Sequence, residues 1–354
     1  MTSWLFNFSV SDKTGSMRRI MPTIRFYDEN GGAIFVLNSS LRNDVLQYRH
    51  KNRYFFVNQT FLERMLKNED YIREVVTECG QPDIYFSYGI PIYQKIGKLN
   101  WLHISNALSL TVKNIRLPAE TRIKMLLLKR RIQATVANID VVSGESQYTL
   151  DLFQREVRTK KPIRYQIVRN GYSSEDISMV DQKRQVCQGE KYAMTIGIAS
   201  YKRLDVVYKI FKQLQASNTD IKTLYVVAGP RDILYIPRLI PEAIKLDTSV
   251  VVDTFERRED LVAMMNSMDY YISASQIENS SNALLEGLMF SKNVIATDIP
   301  SHRELLVGKK HGYFKESISG EEFIYYQKSE EDVIDSVSWE TAVKEMFLVG
   351  ESAT

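Results

Sequence analysis

The sequence predicts two doubly wound α/β domains in tandem, and three observations carry that prediction. The 354 residues suffice for two full cores. Short β-prone runs alternate with amphipathic segments in both halves, as parallel sheets require. A polar stretch rich in Ser, Asp, Gln and Lys, residues 172–191, separates the halves. The domains therefore read as 1–170 and 192–354, with a linker at 171–191. A hydrophobic share of 44% with 11% aromatics is that of a globular chain. The net charge of +3 is too small to imply nucleic acid as a partner. Cys79 and Cys187 are too few and too far apart for a disulfide framework or a metal site, which fits a reducing cytoplasm. No basic stretch followed by a long apolar one opens the chain, and no apolar run approaches about 18 residues, so any membrane contact is expected to be peripheral.

In the first half Trp4–Phe8 is an apolar strand, followed by a polar loop, Ser9 to Ser16. Gly15 in that loop would let backbone approach a ligand closely, or would simply make a turn. Met17 to Tyr27 has helical spacing, and Pro22 predicts a kink or break within it. Strands are expected at Ala33–Leu37, Tyr54–Val57, Asp83–Tyr88 and Trp101–Ile104, with an amphipathic helix at Thr60–Thr77. His103 ends its strand just before a polar loop. Ligands of open α/β sheets bind outside the carboxyl ends of strands, so His103 reads as a ligand contact or as a buried, hydrogen-bonded structural histidine. Leu117–Ala137 has the longest helical pattern, with Lys124, Lys129, Arg130 and Arg131 around an apolar run. It could lie on anionic headgroups, at roughly 1 kcal/mol per basic residue, or be a core helix with solvated ends. A strand at Ile139–Val142 leads to Glu145 and Ser146. Ser146 reads as the cap of a helix over Gln147–Glu156. Arg164–Val168 is the last strand of this half, and Asn170-Gly171 makes a turn.

In the second half Tyr192–Ala199 is a strand and Leu204–Gln215 a helix. Lys202 and Arg203 lie at their junction, where two cations could neutralise a diphosphate leaving group. Thr223–Ala228 and Val250–Asp253 are further strands, and Asp260–Met268 is a helix. From Asp269 to Asp298 the pattern switches from strand (Tyr270 to Ile272) to polar loop, then to helix (Asn282–Phe290) and a buried strand (Asn293–Thr297). If that helix starts near Ser281, the free NH groups of Ser280, Ser281 and Asn282 form an anion site. Glu278 precedes the helix, and Glu286 lies about 7.5 Å along its axis at ~1.5 Å per residue. Carboxylates on both sides suit polyols, because each accepts two hydroxyl hydrogen bonds. A diphosphate carrying a sugar at each end would fit this layout. Thr341–Val349 closes the chain as an amphipathic helix.

Glu278, Glu286, Gly287 and the following NVIATD strand resemble the E-x7-E segment of the retaining family 4 glycosyltransferases. The resemblance is tight from Gly197 to Glu304 and looser before it. It implies the GT-B fold, two Rossmann-like domains facing each other across a cleft. It also implies that Glu278 contacts the donor sugar, Glu286 the nucleotide ribose and Lys202 the diphosphate. His103 would reach the donor sugar, Arg203 would stand in for the family's phosphate-binding Arg, and Gly15 would occupy a loop that usually carries two adjacent glycines. The activity implied is metal-independent, cofactor-free transfer of a sugar from a nucleotide diphosphate sugar to a saccharide hydroxyl. The implied setting is O-antigen, lipopolysaccharide or capsule synthesis on a lipid-linked acceptor at the inner face of the cytoplasmic membrane. A GT-B nucleotide-sugar hydrolase or epimerase, or a nucleotide-sugar-binding subunit without catalysis, would share most of these features.

Overall fold

The computed structural model describes residues 2–11, 16–58, 63, 70–172, 191–217, 220–229, 232, 235–255, 257–307, 312–313, 321–328 and 337–352. Two compact units result. One comprises Met1–Lys113, Ala119–Gly171 and Val337–Thr354, and the other Asn114–Pro118 and Tyr172–Ser336.

The first unit is built on β1 (Trp4–Phe8), β2 (Ile34–Asn38), β3 (Arg53–Val57), β4 (Ile84–Tyr88), β5 (Leu99–Ile104), β6 (Val141–Gly144) and β7 (Arg164–Ile167). They form one sheet in the order β3-β2-β1-β4-β5-β6-β7, and every pair is parallel. Its centre is buried on both faces, so β1, β4 and β5 are buried at every position, the polar Asn7, Ser87, Asn100 and His103 included. One face is an aromatic stack, with Phe6 against Phe35 at 5.1 Å and against Trp4 at 5.2 Å between ring centroids.

The helix Met17–Glu29 runs through Pro22, so of the expected kink or break the break does not occur. Its buried stripe of Arg19, Ile20, Thr23, Ile24 and Tyr27 packs on the sheet, and that packing outweighs the ~3 kcal/mol that an internal proline costs. Of the helix expected over Thr60–Thr77, the described part is Asp70–Cys79. The closing helix, Trp339–Glu351, belongs to the first unit, whereas the sequence boundary places it in the second. Gly350 is the reason for the close fit. A Cβ there would lie 2.1 Å from the Trp4 ring.

The second unit contains β8 (Lys191–Ile196), β9 (Ile221–Val227), β10 (Val250–Asp253), β11 (Tyr270–Ser273), β12 (Asn293–Thr297), β13 (Gly312–Tyr313) and β14 (Phe323–Gln327). Their order is β10-β9-β8-β11-β12-β14-β13. The first five are parallel, and β14 and β13 add an antiparallel edge. The chain thus has two Rossmann-like parallel sheets, each in its own unit. In the second sheet the strand order reverses between β8 and β11, and the turns leaving these two strands lie at the switch point where such sheets bind ligands.

Candidate functional site

Two turns converge at the switch point of the second sheet. The first, Ser200–Lys202, follows β8 and is a single 3₁₀ turn. Gly197 precedes it with φ of 95°, a conformation that glycine adopts without strain, and the Lys202 stem passes 3.3 Å from where a Cβ would sit. The second is the loop Ala274–Ser281 after β11. Gln276 donates its backbone NH to the carbonyl of Tyr201 at 2.9 Å, which ties the two turns together.

That tie brings Lys202 and Glu278 into a direct ion pair, both side chains largely buried. Burial alone would push the Glu278 carboxyl up, but the Lys202 ammonium overrides it and holds the group below its ordinary value. Burial likewise opposes the charge on Lys202, and Glu278 more than compensates, so its value is raised. The result is a charged pair at neutral pH in a site that excludes most water. The two partners are 76 residues apart in sequence.

The helix Asn282–Phe290 starts where the sequence places it. Ser281 is its cap, and its buried Oγ accepts from the NH of Leu284 at 3.2 Å. This hydroxyl is thereby committed to the helix, and the NH groups of Asn282 and Ala283 are left to face outward at the helix end. Ser280 immediately precedes the cap, half-buried. Glu286, buried in the second turn, pairs with Arg258 at 2.7 Å. Arg258 opens the helix Arg258–Asn266, two residues earlier than Asp260, and the sequence reading assigned it no part in the site. Its signal was the basic Arg257-Arg258 run before the acidic first turn.

Arg203 is placed differently from Lys202. It sits in the left-handed region (φ 52°, ψ 56°), and its buried guanidinium donates to both oxygens of Asp205, at 3.0 and 3.2 Å, and to Glu321 at 2.7 Å. Lys202, and not Arg203, is the cation beside Glu278. Asp205 also pairs with Arg116 at 3.1 Å, and the NH of Arg116 donates to Gln276 Oε1 at 2.8 Å. Gly15 lies outside the described residues.

In the first unit, His103 ends β5 and is fully buried. It stacks on Tyr88 with ring centroids 5.2 Å apart, and its Nδ1 lies 2.8 Å from Ser143 Oγ. Trp101 Nε1 can only donate and does so to the same hydroxyl at 2.7 Å. With His103 Nδ1 as the acceptor for the Ser143 proton, the ring carries its hydrogen on Nε2, which lies 3.8 Å from Glu145 Oε1. Glu145 accepts from Asn170 Nδ2 at 2.9 Å and lies 3.9 Å from Arg19. Ser146 caps the following helix, accepting from the NH of Thr149 at 3.2 Å, as expected. The helix Ala119–Thr135 exposes Ile123, Leu126 and Leu127 on one side, by 58%, 43% and 41%. No helix among the described residues is long and apolar enough to cross a membrane.

Both buried histidines resist protonation. Burial pushes His103 and His302 down to about 4, each from 6.5. Each imidazole is therefore neutral in the folded chain while its unfolded counterpart takes up a proton below pH 6.5. This contribution to stability is fully present above the unfolded value and is lost as pH falls toward 4, on the order of 3 kcal/mol per group. The expected result is a melting temperature that drops steadily from pH 6.5 to 4. Replacing either histidine by Gln should flatten the slope, as thermal melts across that range would record.

The sequence of residues 180–326 matches the family model described as glycosyl transferases group 1. No curated protein matches the chain by sequence. Among solved structures, HepE from Anabaena in complex with UDP-glucose is 15% identical with a TM-score of 0.56, over 100% of this chain and 91% of that chain. The UDP-forming α,α-trehalose-phosphate synthase of Burkholderia xenovorans in complex with glucose-6-phosphate is 10% identical with a TM-score of 0.58, over 86% of this chain and 88% of that one. The α,α-trehalose 6-phosphate synthase of Burkholderia multivorans gives 10% and 0.59, over 87% and 86%. Residues 180–326 thus form a glycosyl transferases group 1 domain, carried on a chain of the GT-B fold.

Proposed function

We propose that the chain is a retaining glycosyltransferase that moves a sugar from a nucleotide diphosphate sugar to a saccharide hydroxyl. The observation that carries this is the buried Lys202–Glu278 pair beside the open end of the Asn282–Phe290 helix. It supplies a cation and free NH groups for a diphosphate and a carboxylate for sugar hydroxyls, all on one unit. HepE, of the same fold, was solved with UDP-glucose, which supports a donor of that class.

In the mechanism we propose, the anomeric C–O bond to the diphosphate breaks while the acceptor oxygen bonds to the same face of the anomeric carbon. The leaving phosphate oxygen takes the acceptor's proton. Lys202 and the NH groups of Asn282 and Ala283 take up the charge that develops on the diphosphate. Glu278 orients the sugar, and Glu286 holds the ribose with Arg258 fixing its position. A thermal-shift screen against UDP, GDP, dTDP, CDP and their common sugars tests the reading. One nucleotide family should stand out, since a ligand about tenfold above its Kd stabilises by ~1.4 kcal/mol. No shift from any of them counts against it.

The acceptor we propose is a lipid-linked saccharide, as in O-antigen, lipopolysaccharide or capsule assembly. Its support is the exposed Ile123, Leu126 and Leu127 with exposed Arg130 and Arg131 one and two turns further on. Between residues 119 and 164 ten basic side chains face five acidic ones. The chain should pellet with vesicles containing anionic lipid at low salt and stay in the supernatant with neutral ones. Leu126→Glu with Arg130→Glu should abolish pelleting.

One observation favours a second reading. Arg203 is engaged with Asp205 and Glu321, which leaves Lys202 as the cation of the pair. A nucleotide-sugar-binding subunit that supports a partner transferase would need no more, and turnover by the purified chain separates the two.

A further inference from the structure

His302 lies in the short helix Pro300–Leu305 that follows β12, next to the switch point, and is fully buried. Its Nδ1 is 2.9 Å from the carbonyl oxygen of Thr297. A carbonyl only accepts, so Nδ1 carries the proton and Nε2 of the neutral ring presents a lone pair. Among the described residues that Nε2 has no hydrogen-bond partner, although it is shielded from solvent. A buried acceptor left unmade costs about 1–3 kcal/mol, so its persistence calls for a partner that arrives from outside the chain.

The surroundings point to what that partner is. Thr297, which anchors His302, donates its Oγ1 to the carbonyl of Ser275 at 2.6 Å and so ties this turn to the loop that carries Glu278, whose charge and that of Lys202 act on the ring. Among the described residues the buried Ser301 Oγ, in the same short helix, and Asn282 Oδ1, at the start of the Asn282–Phe290 helix, also lack hydrogen-bond partners. This group is rich in acceptors: a carboxylate, an imidazole lone pair and an amide oxygen. Lys202 is the cation in it, and a diphosphate would compete for that cation. A ligand that brings both a diphosphate and several hydroxyl donors satisfies every member. A nucleoside diphosphate alone satisfies Lys202 and leaves the acceptors without protons.

We propose that His302 Nε2 accepts a hydrogen bond from a hydroxyl of the transferred sugar, beside Glu278, so that His302 selects the sugar and not the nucleotide. This rests on the glycosyl-transfer reading above. The alternative is a purely structural histidine whose one task is to hold the turn through Thr297.

The two are separable by which nitrogen is replaced. His302→Asn keeps an amide NH close to the Nδ1 position and removes the Nε2 acceptor. His302→Gln places an amide oxygen close to Nε2. Dissociation constants would be measured by calorimetry for UDP-glucose and UDP, GDP-mannose and GDP, and dTDP-glucose and dTDP, on wild type and both variants. The expected result is one pair that binds wild type, with the nucleotide sugar weakened tenfold or more in His302→Asn, the free nucleotide changed less than threefold, and His302→Gln in between. An unchanged ratio of the two constants in His302→Asn overturns the role of His302 alone. Equal loss of both ligands together with a lowered melting temperature assigns His302 to structure and also overturns it. Failure of wild type to bind any of the six ligands overturns the glycosyl-transfer reading and this inference with it.

Discussion

Glu278→Ala is expected to reduce turnover by about 100-fold or more and to lower the melting temperature at the same time. The two effects have different causes. Glu278 and Lys202 are a buried pair, so removing the carboxylate strands an ammonium in a site that burial already disfavours for charge. Breaking such a pair from one side costs about 3–5 kcal/mol, whereas replacing both partners by apolar groups of similar volume is often neutral or stabilising. The double variant Lys202→Met with Glu278→Leu should therefore regain most of the stability and none of the turnover. In the transferase reading the catalytic loss comes from the sugar, which loses the carboxylate that orients its hydroxyls, and from the cation that neutralises its leaving group. Melting curves and initial rates on the single and double variants check this. Wild-type rates in Glu278→Ala would exclude the carboxylate from the chemistry, and a double variant as unstable as the single one would show that the stranded ammonium is not the cause of the lost stability.

How far this site could be read from the chain follows from what each part depends on. The switch from strand to polar loop to helix over residues 269–298 is a change of hydrophobic period from unbroken to helical, a local property, and the helix starts at Asn282 as read. Lys202 and Glu278 were each legible as residues at strand ends. Their contact was not, because it depends on the Gln276–Tyr201 backbone bond between turns that the chain visits 76 residues apart. Arg203 was read as a second phosphate cation because it neighbours Lys202. Its left-handed backbone turns it instead toward Asp205, two residues on, and Glu321, 118 residues on. Arg258 escaped notice because its partner Glu286 lies on another helix. Likewise, the last helix was visible as a helix from its spacing, while its placement on the first unit depends on Gly350 meeting Trp4, a contact between the two ends of the chain. Pro22 shows the converse, a strong local signal overridden by a buried stripe on both sides of it.

Gly287→Ala is the second substitution with a large expected effect, and it reaches the site without touching a polar group. Gly287 lies in the middle of the Asn282–Phe290 helix, directly over Tyr271 of β11. A Cβ at that position would lie 2.4 Å from Cδ1 and 2.6 Å from Cγ of the ring. Tyr271 is itself 1% exposed within the core, so the ring has nowhere to turn and the helix must move off the strand. Alanine gains about 1 kcal/mol of helix propensity over glycine, but overpacking a core of this kind costs about 1–3 kcal/mol. The net loss should lower the melting temperature by a few degrees. The larger consequence is geometric. The same rigid helix carries the NH groups of Asn282 and Ala283 at its start and Glu286 beside Gly287, so a shift of about 1 Å would displace the proposed diphosphate and ribose positions together and cost ~100-fold in rate. Nucleoside diphosphate affinity should fall along with turnover, in contrast to His302→Asn, which is expected to spare it. Gly312→Ala, where an added Cβ meets nothing within 4 Å, is the control that should leave both unchanged. Should Gly287→Ala bind nucleotide as wild type does, the helix end would not be the diphosphate site.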